Sequence, residues 1–355
     1  MEGNVVAVVN GRPGRDTALR QILRPLAPYL GRAEVTELAI NRPGEVWTRT
    51  FDGWEAHAVP ELTAGYVQGL ATAMAAYSGL PLTSMVSVTL PGGERGQIVQ
   101  PPACMTGMTP LTIRKHLPVV RTLSELEEEG AFEAVRDVSF HRPTREEAKR
   151  EGQRCDSRRL EESEVELLEL KREWRVAEFL RTAVRRRKNI VLAGKTGSGK
   201  TTLARSLIEE VAAAERIVTI EDVHELKLRN HPNVVHLVYG SSEGRVSAEA
   251  CLAVCMRLSP DRIFLAELRG AEAWEYVQGL NTGHPGSITT THANSAIHAF
   301  SRVEHLVRQH DGARGLDPAA IRRAVWTTLD VTVFMVERRV REVFYDPIYA
   351  KGLDG

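Results

Sequence analysis

A glycine-rich loop that follows an apolar strand constrains this chain more than any other feature. Residues 194–201 read Gly-Lys-Thr-Gly-Ser-Gly-Lys-Thr, directly behind the apolar run 189–193. Glycines allow the backbone N–H groups of such a loop to turn inward onto phosphate oxygens, and the following helix presents its N-terminus to the anion. The pattern G-x-x-x-x-G-K-[ST] therefore predicts a strand, a phosphate-binding loop and a helix in succession.

The loop also assigns chemical roles to single residues. Lys200 can reach the β- and γ-phosphates, and the Thr201 hydroxyl can hold Mg²⁺. ATP and Mg²⁺ are therefore the predicted ligands. The predicted nucleotide-binding residues are Gly194, Lys195, Thr196, Gly197, Ser198, Gly199, Lys200, Thr201 and Thr202.

Bulk composition limits the other possibilities. A chain of 355 residues can form two domains, and its 46 basic and 46 acidic residues leave no global field that attracts nucleic acid. Its 4 cysteines lack paired spacing, which favours a reducing compartment. The sequence has neither the ~18-residue apolar run of a membrane span nor the basic start of a signal peptide. We expect a cytoplasmic protein with at most peripheral membrane contact.

The first third of the chain has the pattern of an α+β domain. Alternation predicts a hairpin over 35–41 and 45–49 and a second one over 87–90 and 97–100, each with a Gly/Pro turn. Helical spacing covers 63–78, and a further strand is predicted at 111–115. We place this smaller α+β N-terminal domain at 1–120.

A highly charged segment follows. Between His141 and Arg175, 20 of 35 residues are charged, ten of each sign. Such a composition cannot bury a core by itself, so we interpret residues 121–172 as a long charged linker with helical pieces.

The remainder alternates helix and strand. A basic helix is predicted at 175–188, and a parallel sheet with helices on both faces is predicted from strands at 189–193, 217–221, 262–267 and 287–291. Segments 331–337 and 342–345 flank the charged turn Arg338-Arg339, a predicted closing hairpin. The fold class is α/β, with a RecA-like P-loop nucleotide-binding domain at 173–355.

An acidic group ends the strand at 217–221. Because ligands bind at the carboxyl ends of parallel strands, Glu221, Asp222 and Glu225 can hold Mg²⁺ through water or orient the attacking water. The alternative is an ordinary turn with an acidic helix cap.

Two further side chains point to hydrolysis. A nucleotide hydrolase needs an acid on the strand beside the phosphate loop, and Glu267 follows the apolar run 263–266. The usual Asp is missing there, so Glu267 is predicted to serve both metal and water. His292 ends a Ser/Thr strand and can hydrogen-bond the γ-phosphate, although core histidines with satisfied nitrogens are commoner.

Together these segments resemble the type IV secretion traffic ATPases, the eleventh VirB component family, within the secretion-ATPase superfamily. Residues 221–225 resemble the acidic box of that family, 256–270 its Walker B region and 282–294 its histidine box. Residues 40–47, 93–95 and 113–115 resemble its N-terminal domain. The resemblance runs from about residue 35 to 349, and Ala266 departs from it where many members have Gly.

The resemblance implies a homohexameric ring of two domain layers with nucleotide between them, at the inner-membrane face of a secretion channel. Its implied partners are other inner-membrane components, including the larger VirB ATPase and the coupling protein, without direct nucleic-acid readout. It also implies that Arg95 and Arg114 approach the phosphates, for which guanidinium groups are suited. The predicted catalytic set is Lys200, Glu221, Glu267, His292, Arg95 and Arg114, and the predicted metal ligands are Thr201, Asp222 and Glu267.

Three alternatives remain open. A type II secretion or pilus-retraction motor often carries a four-cysteine zinc module, which these cysteines do not match. A nucleic-acid translocase could use Arg181 and residues 185–188, but basic residues at a helix C-terminus are expected from its dipole and no aromatic platform accompanies them. A nucleotide-gated scaffold with negligible turnover is the third.

Overall fold

The computed structural model describes residues 13–50, 52–115, 121–226, 228, 230–240 and 245–353. The described residues form two compact units, one within residues 13–115 together with Arg245 and one within residues 121–240 and 246–353. None of the helices in the described residues combines the length and the apolar character that a membrane span requires.

The first unit is an α+β domain. Its helices are α1 (Pro13–Ile22), α2 (Ala27–Leu30) and α3 (Ala64–Tyr77), and its strands are β1 (Glu37–Ile40), β2 (Glu45–Thr50), β3 (Gly53–Ala58), β4 (Met85–Thr89), β5 (Arg95–Val99) and β6 (Leu111–Arg114). Within the described residues the strands form an antiparallel sheet in the order β3-β2-β1-β6-β5-β4. Apolar residues of α3, such as Leu70 and Met74, pack with strand residues such as Ile98 in one buried cluster.

Both predicted hairpins of this unit are confirmed, and so is the helix, which Thr63 caps by accepting from the N–H of Tyr66. Strands β4 and β5 each begin two residues earlier than predicted. Strand β3 and helix α1 were not predicted. Nearly every residue of β3 is exposed, so it carries no apolar alternation that could have marked it.

The second unit is an α/β domain. Its helices are α4 (Leu123–Glu128), α5 (Arg145–Gly152), α6 (Glu162–Arg172), α7 (Val176–Arg185), α8 (Lys200–Ile208), α9 (Ala248–Cys255), α10 (Glu272–Asn281), α11 (Ala296–Val307), α12 (Pro318–Thr328) and α13 (Pro347–Leu353). Its strands are β7 (Arg136–Asp137), β8 (Ile190–Gly194), β9 (Ile217–Glu221), β10 (Val234–Val238), β11 (Arg262–Leu268), β12 (Ile288–Thr291), β13 (Val331–Val336) and β14 (Arg339–Tyr345).

The sheet of the second unit confirms the predicted parallel arrangement. Its order is β10-β9-β11-β12-β8-β13-β14-β7, and strands β8 to β13 pair in parallel wherever they are neighbours. Successive residues of β8 enter different cores: Ile190 and Leu192 pack on one face, Val191 and Ala193 on the other. The carboxyl ends of β8, β9, β11 and β12 therefore meet at one edge, where such sheets bind ligands.

The charged segment 121–172 is not a free-standing linker, which corrects the interpretation from composition. It supplies strand β7 to the sheet, and Leu160 and Leu167 lie in the same core as Ile190. Most of the charges lie on the outer face, in pairs such as Arg145–Glu169 at 2.9 Å, whereas Glu164 and Lys171 are buried. A few correctly spaced leucines are enough to attach short helices to an existing core, although they could not form one alone.

The closing hairpin is confirmed with a shifted turn. Strands β13 and β14 pair up to Val336 and Arg339, so the two turn residues are Glu337 and Arg338 rather than Arg338 and Arg339. The predicted start of the second strand was three residues late because residues 339–342, Arg-Val-Arg-Glu, show no apolar run.

Candidate nucleotide-binding site

The phosphate loop lies between β8 and α8, as predicted. Gly197 and Gly199 have φ of 78° and 97°, a region that side chains rarely adopt. Gly194 is needed for space as well, because a Cβ there would lie 2.5 Å from the Met335 carbonyl oxygen. The loop thus requires glycine at the positions where the pattern has it.

Lys200 is held inside this loop. Its ammonium donates to the carbonyl oxygens of Gly194 at 2.7 Å and Lys195 at 2.9 Å, and the residue is only 8% exposed. Among the described residues, the buried Ser198 hydroxyl makes no hydrogen bond. Thr201 is exposed at the start of α8, where its hydroxyl can reach a ligand.

Glu267 lies on β11, and β12 separates β11 from the strand of the phosphate loop. This corrects the expectation that the acid stands on the strand directly beside the loop. Pairing of β11 with β12 is irregular between Leu265 and Leu268, so the Glu267 carboxylate leaves the strand within this irregular stretch. The Glu267 side chain is 14% exposed and its Oε2 accepts from the Arg269 guanidinium at 2.8 Å.

His292 connects Glu267 to the phosphate loop. One ring nitrogen, Nδ1, is 3.1 Å from the Gly194 carbonyl oxygen, and Nε2 is 3.0 Å from Glu267 Oε1. A carbonyl oxygen only accepts, so Nδ1 carries a hydrogen. The Nε2 contact has the distance of an ion pair but not the angles of a hydrogen bond. Glu267 Oε1 is consequently a buried acceptor without a hydrogen bond among the described residues.

Arg269 joins two of the predicted site residues. Its guanidinium contacts Glu267 at 2.8 Å and Asp222 at 3.1 Å. The hydrogen bond to Glu267, followed by the charges of Glu267 and Asp222, raises the pKa of Arg269 above its ordinary value, against the effect of desolvation. We did not predict this role. Strand alternation could not have indicated it, because Arg269 lies one residue beyond the end of β11.

Glu221 is buried and fully engaged. Its Oε1 accepts from the backbone N–H groups of Glu225 and Leu226, both at 2.8 Å, and its Oε2 lies 3.1 Å from both Thr219 Oγ1 and His224 Nδ1. With its side chain 1% exposed, Glu221 shapes the segment that carries Asp222 and Glu225. In this arrangement its oxygens offer no open position for a water molecule.

Two histidines, not predicted as site residues, adjoin Glu221. The ring centroids of His224 and His236 are 4.2 Å apart with the ring planes tilted by 53°, and His236 Nδ1 lies 2.7 Å from Thr219 Oγ1. Desolvation, reinforced by the charge of His224, lowers the pKa of His236, although Glu221 opposes the shift. Among the described residues, these histidines and Glu221 form the group with ligand atoms close enough to hold a metal ion.

Arg95 and Arg114 belong to the first unit. They stand directly opposite each other on β5 and β6, and Arg114 stands opposite Glu37 on β1. Directly opposite residues share a face of the sheet, and like charges in that position destabilise it. Arg114 Nε lies 3.9 Å from Glu37 Oε1, so a carboxylate on the neighbouring strand offsets part of this repulsion.

These features define a class of protein. A phosphate loop, a strand-end glutamate and a histidine between them, on a parallel sheet with helices on both faces, are the parts of a P-loop ATPase. Comparison with known proteins narrows the class. The family model described as "Type II/IV secretion system protein" matches residues 150–342. The chain belongs to this family and is a secretion ATPase.

Relatives of known sequence and solved structures support membership of the same family. The chain is 40% identical over 346 residues to the type IV secretion system protein VirB11 of Brucella suis, covering 93% of this chain and 91% of that one. It is 39% identical to the PtlH homolog of Bordetella bronchiseptica, with 96% and 98% covered.

The crystal structure of the Brucella suis VirB11 ATPase in complex with sulphate matches with a TM-score of 0.53 at 38% identity, covering 96% and 98% of the two chains. The ADP-bound pilus retraction motor PilT matches with a TM-score of 0.56 at 18% identity, covering 89% and 77%, which shows the fold alone.

Proposed function

We propose that the protein is a Mg²⁺-dependent ATPase of a type IV secretion system that drives substrate translocation or pilus assembly. Near full-length identity of 40% to a type IV secretion protein supports this assignment over a type II secretion or pilus-retraction motor. We further propose a homohexameric ring at the cytoplasmic face of the inner membrane. Its partners there are the larger VirB ATPase and the coupling protein.

One observation supports hydrolysis most directly. Glu267 Oε1 is buried, within reach of the phosphate loop through His292, and without a hydrogen bond of its own among the described residues. Such an acceptor can take a hydrogen bond from the attacking water and orient it. Arg269 fixes the other carboxylate oxygen and leaves Oε1 for the water.

Lys200 and His292 act on the phosphates. The Lys200 ammonium exchanges its bonds to the Gly194 and Lys195 carbonyl oxygens for the β- and γ-phosphate oxygens. His292 holds Glu267 at a fixed place relative to Gly194 and senses the γ-phosphate. We propose that Arg95 and Arg114 add positive charge to the phosphates in the assembled protein.

The donor set near the loop fits Mg²⁺, which prefers oxygen ligands. Thr201, which is exposed, would hold the ion through its hydroxyl, and Glu267 would hold it through a water molecule, because its Oε1 is already assigned to water. Asp222 would join them only by exchanging Arg269 for the ion. When bound, Mg²⁺ neutralises charge on the phosphate oxygens.

Phosphate release and particle mass test this proposal together. Purified protein is mixed with ATP in excess Mg²⁺ and, separately, in excess EDTA, and its mass is measured with and without a non-hydrolysable ATP analogue. We expect release only with Mg²⁺ and a mass of six chains in nucleotide. Release that is unaffected by EDTA contradicts the metal assignment, and a monomer under every condition contradicts the ring.

A further inference from the structure

The turn between β13 and β14 has an unusual backbone. Its two residues, Glu337 and Arg338, have φ of 50° and 64°. A two-residue hairpin turn of this kind favours the sequence Asn-Gly, because most residues other than glycine are strained at positive φ. Strain of this kind is retained where the side chain has a use.

The strained turn lies against the phosphate loop. The backbone N–H of Arg338 donates to the Ser198 carbonyl oxygen at 3.0 Å. A Cβ on Gly199 would lie 3.1 Å from Arg338 Cα and 3.5 Å from Arg338 Cβ. Arg338 is therefore fixed beside the loop that holds the phosphates, and the residue is exposed.

The sheet order determines which end of a nucleotide the turn faces. Strand β8 has β12 and then β11 on one side and β13 and then β14 on the other. Glu267 and His292 stand on the first side, so the γ-phosphate must point that way for hydrolysis. The opposite side, at the carboxyl end of β13, faces the α-phosphate and the nucleoside.

We propose that Arg338 binds the nucleoside end of the nucleotide, at the α-phosphate and ribose. Its guanidinium offers a permanent charge and forked donors, which suit phosphate and ribose oxygens. The assignment rests on the proposed function, because it assumes that the phosphate loop holds ATP. Arg338 would then contribute to the affinity for the nucleotide, whereas Glu267 and His292 would act in hydrolysis.

The variant Arg338→Gly separates binding from folding. Glycine suits φ of 64°, so we expect a Tm no lower than that of the wild type. The Kd for MgADP should rise about tenfold, the size expected for losing one charge-assisted hydrogen bond. The Kd for tripolyphosphate, which has no nucleoside, should change much less. In turnover, KM for ATP should rise while kcat stays close to the wild-type value.

Two controls keep the outcome interpretable. Arg339→Ala removes the neighbouring exposed arginine, which pairs with Glu133 at 3.8 Å, and should leave MgADP affinity unchanged. Arg338→Lys keeps the charge and should recover part of the lost affinity. Unchanged MgADP affinity in Arg338→Gly, or equal losses for MgADP and tripolyphosphate, overturns the proposal. Failure of the wild type to bind MgADP would instead refute the proposed function.

Discussion

Replacing Glu267 by glutamine keeps the size of the side chain and removes its charge. Glu267 Oε1 is the buried acceptor that we assign to the attacking water, and an amide oxygen accepts a proton poorly. We expect hydrolysis to slow by at least ~100-fold, the usual size of losing a general base or water-positioning group. At about 1.36 kcal/mol per factor of ten, this corresponds to about 2.7 kcal/mol of transition-state stabilisation.

The effect of Glu267→Gln on folding should be much smaller. The substitution weakens the pair with Arg269, whose side chain is 51% exposed. Solvent screens such a pair, so the free energy of unfolding should fall by less than about 1 kcal/mol. Catalysis and stability can therefore be separated by measurement.

Single-turnover phosphate release and nucleotide binding test this prediction. Saturating the variant with MgATP gives the rate per bound site, and titration with MgADP gives its affinity. Glu275→Gln is the matched control, since Glu275 is a partly exposed acid of the same unit near His310. A variant that loses nucleotide binding while its rate per bound site does not fall would show that Glu267 is a binding residue, and the reasoning would be wrong.

Three further predictions follow from the contacts of individual residues. Glu221→Gln places an amide among four donors, so we expect the free energy of unfolding, measured by urea titration, to fall by about 1–3 kcal/mol. The hydrolysis rate should fall less than in Glu267→Gln. An unchanged urea midpoint would refute the structural role of Glu221. Arg95→Ala and Arg114→Ala should each lower ATPase activity without unfolding the protein. The control Arg49→Ala, which removes a side chain that pairs with Glu37, should leave ATPase activity unchanged. Full activity in both Arg95→Ala and Arg114→Ala would leave these two arginines as surface residues. Folding lowers the pKa of His236, so the neutral imidazole contributes its full stability to the folded protein at pH above the unfolded pKa near 6.5. This contribution is lost as the pH falls from there through the folded pKa. The Tm of His236→Gln should therefore drop less than that of the wild type between pH 7.5 and 5.5, and equal drops would contradict this.

Features carried by short local patterns were predictable from the sequence. The phosphate loop needs its glycines for backbone geometry, and the strand that precedes it is buried on both faces and apolar throughout. Glu267 could be recognised because it follows an apolar run, and His292 because it follows a Ser/Thr strand. The fold class and the ATPase activity followed from these residues.

Features that depend on residues far apart in the chain were not predictable. Arg269 bonds Asp222 across 47 positions, and His236 reaches Thr219 only because β10 and β9 are neighbours. The two-residue strand β7 has no pattern of its own. The charged segment was misjudged because a charge count does not show which few leucines face an existing core.

Phosphate release from MgATP by wild-type protein and by Lys200→Ala tests the central claim most directly. Lys200 is the cation enclosed by the phosphate loop, and its removal leaves the β- and γ-phosphates without that charge. We expect steady turnover by the wild type and none by a Lys200→Ala protein whose circular dichroism is unchanged. Wild-type-like hydrolysis by the folded variant would contradict the assignment of this site as the ATPase centre.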